Sequence, residues 1–204
     1  MTAPSPRHNA RLAIFASGGG SNLQSIMDDL ASRGDARAAE IVLVVSDRAG
    51  AGALARARAA RVPAEVIANP ADGPALVALL ESHGVELIAL AGYLKLVPRE
   101  VTDRWRGRIV NIHPALLPKF GGTGMYGRRV HAAVIAAGER ESGATVHHVD
   151  DEYDRGAIIG QERVPVEPGD TAESLAARVL AAEHRLYPRT LHALAVNLKT
   201  SNER

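Results

Sequence analysis

The sequence predicts an α/β fold: a Rossmann-like, mostly parallel sheet with helices on both faces, of the type that carries a ligand at one sheet edge. Two observations carry the prediction. Apolar runs alternate with helical patterns from residue 11 to residue 112, and the core-forming residues are almost all aliphatic. Hydrophobic residues make up 46% of the 204 positions and aromatics only 3%, which suits helices on a parallel sheet better than a small all-β module. The length fits one domain with a sizeable core, so residues 1–204 are expected to form a single domain whose first ten residues are loose.

The elements follow in order. The runs "RLAIFA" (11–16), "EIVLVV" (40–45), "AEVIA" (64–68), "ELIALA" (86–91) and "RIVNI" (108–112) read as strands, and the intervals between them are long enough for helices, which is the βαβ rhythm. The stretches "SNLQSIMDDLASRG", "GALARARAARV" and "GPALVALLESHGV" place apolar residues near i, i+3 and i+4 and close on Gly or Val-Pro, as helix ends do. Beyond residue 140 the pattern changes. Residues 143–150 and 157–166 read as two strands, a hairpin or a crossover pair, joined by the acidic turn "DEYDRG". From Thr171 to Leu198 the pattern is helical, capped by Asp170 or Thr171 with Glu173 in the first turn. Pro188 is expected to break this stretch into two helices. Trp105, the single tryptophan, is read as packing over the sheet edge.

Charge and cysteine usage exclude several functions. With 24 basic and 23 acidic residues the formal net charge is +1, so no broad electrostatic surface for nucleic acid or membranes is expected. The absence of cysteine removes disulfides, thiolate nucleophiles and the common structural zinc sites. "MTAPSPRHNA" has no apolar h-region, and no run reaches the ~18–20 apolar residues that span a bilayer. A cytoplasmic protein is the expectation.

Two motifs carry chemistry. In "IFASGGGSNLQ" (14–24) three glycines lie between the first strand and a helix beginning near Ser21, where free N–H groups and the helix dipole favour a phosphate. A dinucleotide fingerprint starting at Gly18 would need Gly where Leu23 stands, although Asp47 after the second strand keeps that reading alive. A tight turn without ligand remains the alternative. In "RIVNIHPALLPKFGG" (108–122) Asn111 and His113 are two apart at the end of the fifth strand, so in an extended chain they share a face. An amide beside an imidazole at the carboxyl edge of a parallel sheet can bind a developing oxyanion and move a proton. Pro114 biases His113 towards extended geometry. The alternative is a histidine that caps the strand through a backbone hydrogen bond.

The segments "SGGGSNLQ", "LAGYLKLVP", "NIHPALLPKF", "GATVHHVDDEYDRG" and "AAEHRLYP", in this order over nearly the whole chain, resemble the phosphoribosylglycinamide formyltransferases, a folate-dependent family of purine biosynthesis. The resemblance implies transfer of the formyl group of 10-formyltetrahydrofolate to the amine of glycinamide ribonucleotide, without a metal. It places the essential asparagine and histidine on Asn111 and His113, which with His113 protonated donate to the tetrahedral oxyanion. It places the catalytic aspartate on Asp154, which biases His113 towards imidazolium. Gly19, Gly20, Ser21 and Asn22 match the nucleotide's phosphate loop, and Glu183 a residue at its ribose or glycinamide part. Leu94, Lys95, Leu96 and Val97, together with Asp154, match the folate pocket, with Lys95 where many relatives carry Arg. The nucleotide phosphate is thus expected in the N-terminal half and folate in the C-terminal half. A monomer and a homodimer both remain open.

The resemblance also frames the rivals. A formyltetrahydrofolate hydrolase usually adds an N-terminal regulatory domain, and formyl transfer to initiator methionyl-tRNA normally needs a C-terminal RNA-binding domain. A non-catalytic nucleotide-binding domain would keep the glycine loop but has no need of Asn111, His113 and Asp154 together. "GGTGMYGRRVHAAV" (121–134) is longer than the corresponding loop of the best-known members, and Gly121, Gly122, Gly124 and Gly127 suit either a mobile lid or a passive loop. His131 is read as structural, at the start of the next helix. His147 and His148 point to opposite faces of a strand and cannot share a metal. Asp150, Asp151 and Glu152 are read as solvated turn charges.

Overall fold

The computed structural model describes residues 9–202. Strands β1 (Ala10–Phe15), β2 (Ala39–Ser46), β3 (Ala64–Val66), β4 (Leu87–Leu90) and β5 (Ile109–His113) alternate with helices α1 (Ser21–Arg33), α2 (Gly52–Ala59), α3 (Gly73–Ser82) and α4 (Arg99–Arg104). Then follow α5 (Arg128–Ala136), β6 (Glu141–His148), β7 (Ile158–Pro165) and α6 (Ala172–Asn202). The strands form one seven-stranded sheet in the order β3-β2-β1-β4-β5-β6-β7. The first five are parallel, and β6 and β7 continue the sheet antiparallel.

Both faces of the sheet are covered, and the period of two along each strand divides the core. Leu12, Ile14 and Ala16 enter one cluster with Leu23 of α1, Leu54 of α2, Val134 of α5 and the apolar face of α6. Ala13 and Phe15 enter a second cluster with Leu76 and Leu80 of α3 and Val101 of α4. Trp105 is buried in that second cluster, its Nε1 donating to the Val85 carbonyl at 2.9 Å. Packing, as read from the sequence, is its role.

The chain leaves β1 towards β2 and later returns to the other side of β1 at β4, so the strand order reverses between β1 and β4. Open α/β sheets take ligands in the crevice at such a point, beyond the carboxyl ends of the strands. Two glycines fix the approach to it. Gly20, before α1, has φ +78°, and a Cβ there would lie 2.7 Å from the Ala53 Cα, so the turn and the packing of α2 both require glycine. At Gly156 a Cβ would collide with the His148 carbonyl oxygen, which makes glycine obligatory where the turn after β6 folds back on its own strand.

Two expectations are corrected. α6 is one helix of 31 residues that runs through Pro188. Leu186, Tyr187, Leu191 and Ala195 bury on one cluster to either side of the proline, and that burial outweighs the ~3 kcal/mol a helix-interior proline costs. α4 lies in an interval expected only to be long enough for a helix, and it is short and mostly polar, six residues with Val101 in the core. Ala10 already belongs to β1, and residues 1–8 of the segment expected to be loose lie outside the described residues. Among the described residues no helix is long and apolar enough to cross a membrane.

Candidate active site

On the face of the sheet that Ile109 shares with the α3–α4 cluster, the apolar row of β5 gives way to Asn111 and His113. Antiparallel pairing sets Asn111 opposite His147 and His113 opposite Thr145, so all four side chains share that face. The Thr145 hydroxyl donates to the Ala115 carbonyl at 2.6 Å and accepts from the Leu117 N–H at 3.1 Å and from Gln161 Nε2 at 2.9 Å. These bonds hold the chain after β5 in the course that returns Phe120 to His113.

His113 is buried, and its Nε2 lies 2.8 Å from the Phe120 carbonyl oxygen. A carbonyl can only accept, so Nε2 carries a hydrogen and Nδ1 is the working nitrogen. That atom lies 3.4 Å from Asp154 Oδ2. Asp154 has a left-handed backbone, φ 57°, and its Oδ2 accepts the Gly122 N–H at 2.9 Å. Its Oδ1 is 3.4 Å from both Asn111 Nδ2 and His147 Nε2. The structure thus brings Asn111, His113 and Asp154 together, with His147 as a fourth member that the sequence reading missed.

The electrostatics differ from expectation at His113. Burial lowers its pKa and outweighs the upward pull of the Asp154 charge and the Phe120 carbonyl, so the resting imidazole is displaced towards the neutral form. Burial pushes the Asp154 carboxyl up, yet His147, the charge of His113 and the Gly122 N–H together hold it below the usual carboxylate range. Burial thus favours the neutral form of His113, while the contacts of Asp154 favour its carboxylate.

A cavity of about 650 Å³ opens over these groups. Its wall includes Asn22 and Glu183, the group Asn111, His113 and Asp154, and the segment 94–97 with Lys95. Asn22 and Glu183 come from opposite ends of the chain and meet in this wall. Gly19, Gly20 and Ser21 adjoin Asn22 at the start of α1 but are not part of the wall. Asp47 is also outside it, with a side chain only 3% exposed, which leaves the dinucleotide reading without its ribose contact. Residues 122–128 form a further wall, so the loop is no passive surface segment. His131 is buried and faces the same cavity, rather than serving packing alone. Asp150 and Glu152, expected as solvated turn charges, stand at the cavity margin, while Asp151 accepts from the Thr102 hydroxyl at 2.8 Å. The signal that could have found His147 is its pairing with Asn111, which only the strand register reveals.

Glu183 is the other perturbed acid. Burial raises its pKa to about 7, against the lowering effect of Asn22, whose Nδ2 donates to Glu183 Oε2 at 2.6 Å. The native state then keeps a proton that the unfolded chain releases near pH 4.5, so this group's contribution to stability is full below pH 4.5 and is lost as pH rises through 7. Glu183→Gln keeps an oxygen for Asn22 and has nothing to ionise. Its thermal midpoint should match the parent's near pH 4.5 and exceed it at pH 8, by the equivalent of about 3 kcal/mol. A gap that does not widen with pH contradicts the assignment.

Fold and site together define an open α/β protein with its ligand crevice at the carboxyl ends of the strands and a carboxylate, an amide and imidazoles converging there. The chain belongs to the formyl transferase family, whose sequence profile matches residues 10–191. It is 44% identical over 194 residues to the chloroplastic phosphoribosylglycinamide formyltransferase of Arabidopsis thaliana, over 90% of this chain and 65% of the plant protein. It is 41% identical over 184 residues to the phosphoribosylglycinamide formyltransferase of Haemophilus influenzae, over 87% of this chain and 84% of that one. The chain thus spans a little under two thirds of the plant relative's length. The crystal structure of phosphoribosylglycinamide formyltransferase from Brucella melitensis superposes with a TM-score of 0.82 at 43% identity, covering 92% of this chain and 96% of that one.

Proposed function

We propose that this protein transfers the formyl group of 10-formyltetrahydrofolate to the amine of glycinamide ribonucleotide, in the cytoplasm. The observation that carries the reading is the convergence of Asn111, His113 and Asp154 in one cavity whose wall also holds Asn22, Glu183 and residues 94–97. The nucleotide binds beside Asn22 and Glu183, its phosphate on the N–H groups of residues 19–22 at the start of α1, and the pterin binds against 94–97. The two substrates meet over Nδ1 of His113.

The resting protonation states suit the chemistry. As the amine nitrogen bonds to the formyl carbon it loses a proton, which the neutral Nδ1 of His113 accepts, and Asp154 at 3.4 Å stabilises the imidazolium so formed. The imidazolium faces the oxyanion of the tetrahedral intermediate and then returns the proton to N10 of the folate as the bond from N10 to the formyl carbon breaks. Asp154 thus acts by favouring the charged ring in the intermediate, whereas burial keeps the ring neutral at rest.

The test is an absorbance assay of formyl loss from a 10-formyl folate, with and without glycinamide ribonucleotide. Turnover should depend on the amine and yield the formylated nucleotide in equal amount. Equal rates with and without it identify a hydrolase instead, and binding without turnover identifies a non-catalytic nucleotide domain.

A further inference from the structure

We propose that Thr102 is a positioning residue for the formyl donor, its hydroxyl anchoring the turn after β6 through Asp151 and so holding the cavity-facing side of that turn in place. Val149, Asp150, Glu152, Tyr153 and Asp154 all line the cavity, whereas Asp151 stands outside its wall. Asp151 turns instead to α4, where its Oδ1 accepts from the Thr102 hydroxyl at 2.8 Å. Within the turn the Glu152 N–H donates to Asp150 Oδ1 at 3.1 Å, and Glu152 pairs with Arg155 at 3.9 Å. Those contacts shape the turn without tying it to the sheet. Among the described residues, the bond to Thr102 is the one that joins residues 150–153 to another element. Its two ends differ. Thr102 is only 4% exposed, on a helix whose Val101 belongs to the core, while Asp151 is exposed, so a fixed donor holds a movable acceptor.

The hydroxyl has one hydrogen and two acceptors in reach, the Asp151 carboxylate at 2.8 Å and the Arg99 carbonyl of its own helix at 3.1 Å. A carboxylate is the stronger acceptor, so the hydrogen goes to Asp151 while the turn is seated. When the turn lifts away, the same hydrogen falls back on Arg99, the local bond that threonine makes within helices. Release therefore leaves no buried donor unsatisfied, and water takes over the exposed carboxylate. The anchor thus opens at the cost of about one net hydrogen bond. The inference rests on the formyl-transfer reading and deepens it. The turn shares the cavity wall with residues 94–97, against which the formyl folate is placed, so the anchor serves the folate and leaves the nucleotide beside Asn22 and Glu183 untouched.

The test combines hydrogen exchange of the unliganded full chain with kinetics. Thr102→Val keeps the shape of the side chain and removes the donor. The amides of residues 150–155 should then exchange about tenfold faster, with the exchange of α4 and the thermal midpoint unchanged. KM for 10-formyltetrahydrofolate should rise by about three- to tenfold, the scale of one net hydrogen bond, with KM for glycinamide ribonucleotide within about twofold. Thr102→Ser keeps the hydroxyl and should bring both readouts back near the parent. Asp151→Ala should match Thr102→Val, and the double variant should be no worse than either single one, because all three remove the same bond. A valine variant with parental exchange, or with faster exchange and a parental KM for the folate, overturns the proposal. So does a serine variant as impaired as the valine one, or a double variant in which the two losses add. Should the valine variant not fold, Asp151→Ala on the exposed side of the bond decides. A parent protein without amine-dependent turnover defeats the formyl-transfer reading, whereas exchange without ligand still reports on the anchor alone.

Discussion

Asp154→Asn is expected to lower kcat for amine-dependent formyl transfer by about a hundredfold or more, with KM for either substrate changed only a few-fold. The substitution is conservative in every respect but charge. Asp154 has a left-handed backbone, which asparagine tolerates better than most residues, and the amide oxygen can still accept the Gly122 N–H that Oδ2 accepts at 2.9 Å. What is lost is the negative charge beside Nδ1 of His113. That charge opposes the effect of burial on the ring, so without it the His113 pKa falls further. The acid limb of the kcat/KM profile, on which activity appears as His113 becomes neutral, should therefore move to lower pH. Asp150→Asn and Glu152→Gln serve as controls and should stay within a few-fold of the parent, since exposed carboxylates contribute little. If either control abolishes turnover while Asp154→Asn is near normal, the proton path runs through the wrong acid.

His113→Ala should cost a similar or larger factor, roughly 10² to 10⁴ in kcat, the range for removing a general base that also serves as the acid. Alanine also leaves the Phe120 carbonyl without the donor it has at 2.8 Å, so some loss of stability, about 1–3 kcal/mol, is expected alongside. His113→Gln separates the two effects. Its side-chain N–H can reach the same carbonyl, yet it cannot carry a proton, so it should recover stability and remain as inactive as the alanine variant. Combining His113→Ala with Asn111→Ala should cost less than the product of the two single factors, because both groups act on one reacting centre. A folded His113→Gln enzyme with near-parental kcat removes His113 from the chemistry.

The parts of the fold that were legible in the sequence are those whose physics is local. The inner parallel strands β1 and β2 are largely buried on both faces, so "LAIF" and "VLVV" stand out as unbroken apolar runs, and Gly34 ends α1 where the helical period stops. Pro188 misled because propensity counts the lost hydrogen bond and not the two flanking turns packed on the sheet. α4 escaped because six residues after Pro98, with Val101 alone apolar among them, carry too little period to read. The site divides in the same way. Asn111 and His113 announce themselves by standing polar at the end of an apolar strand. Asp154 was chosen among its neighbouring acids only through the family resemblance. His147 needed the register of β6 against β5, which no local pattern encodes, and the net effect of burial on His113 needed the surrounding packing.

The bond between Asn22 and Glu183 joins residues 161 positions apart, and this fixes an order of events in folding. α1 shares its apolar cluster with Leu175, Val179 and Leu186 of α6, so its inner face finds full cover only when the last helix docks. Closing a loop of that length costs entropy before any contact repays it. The contact between Asn22 and Glu183 is therefore expected to form late in folding, after the local βαβ contacts. During synthesis the growing chain carries α1 with that face open until residues 172–195 emerge, an interval in which association between neighbouring chains competes with completion. If the proposed nucleotide contacts both α1 and α6, it binds only the completed form, and raising its concentration should slow release of the docked helix.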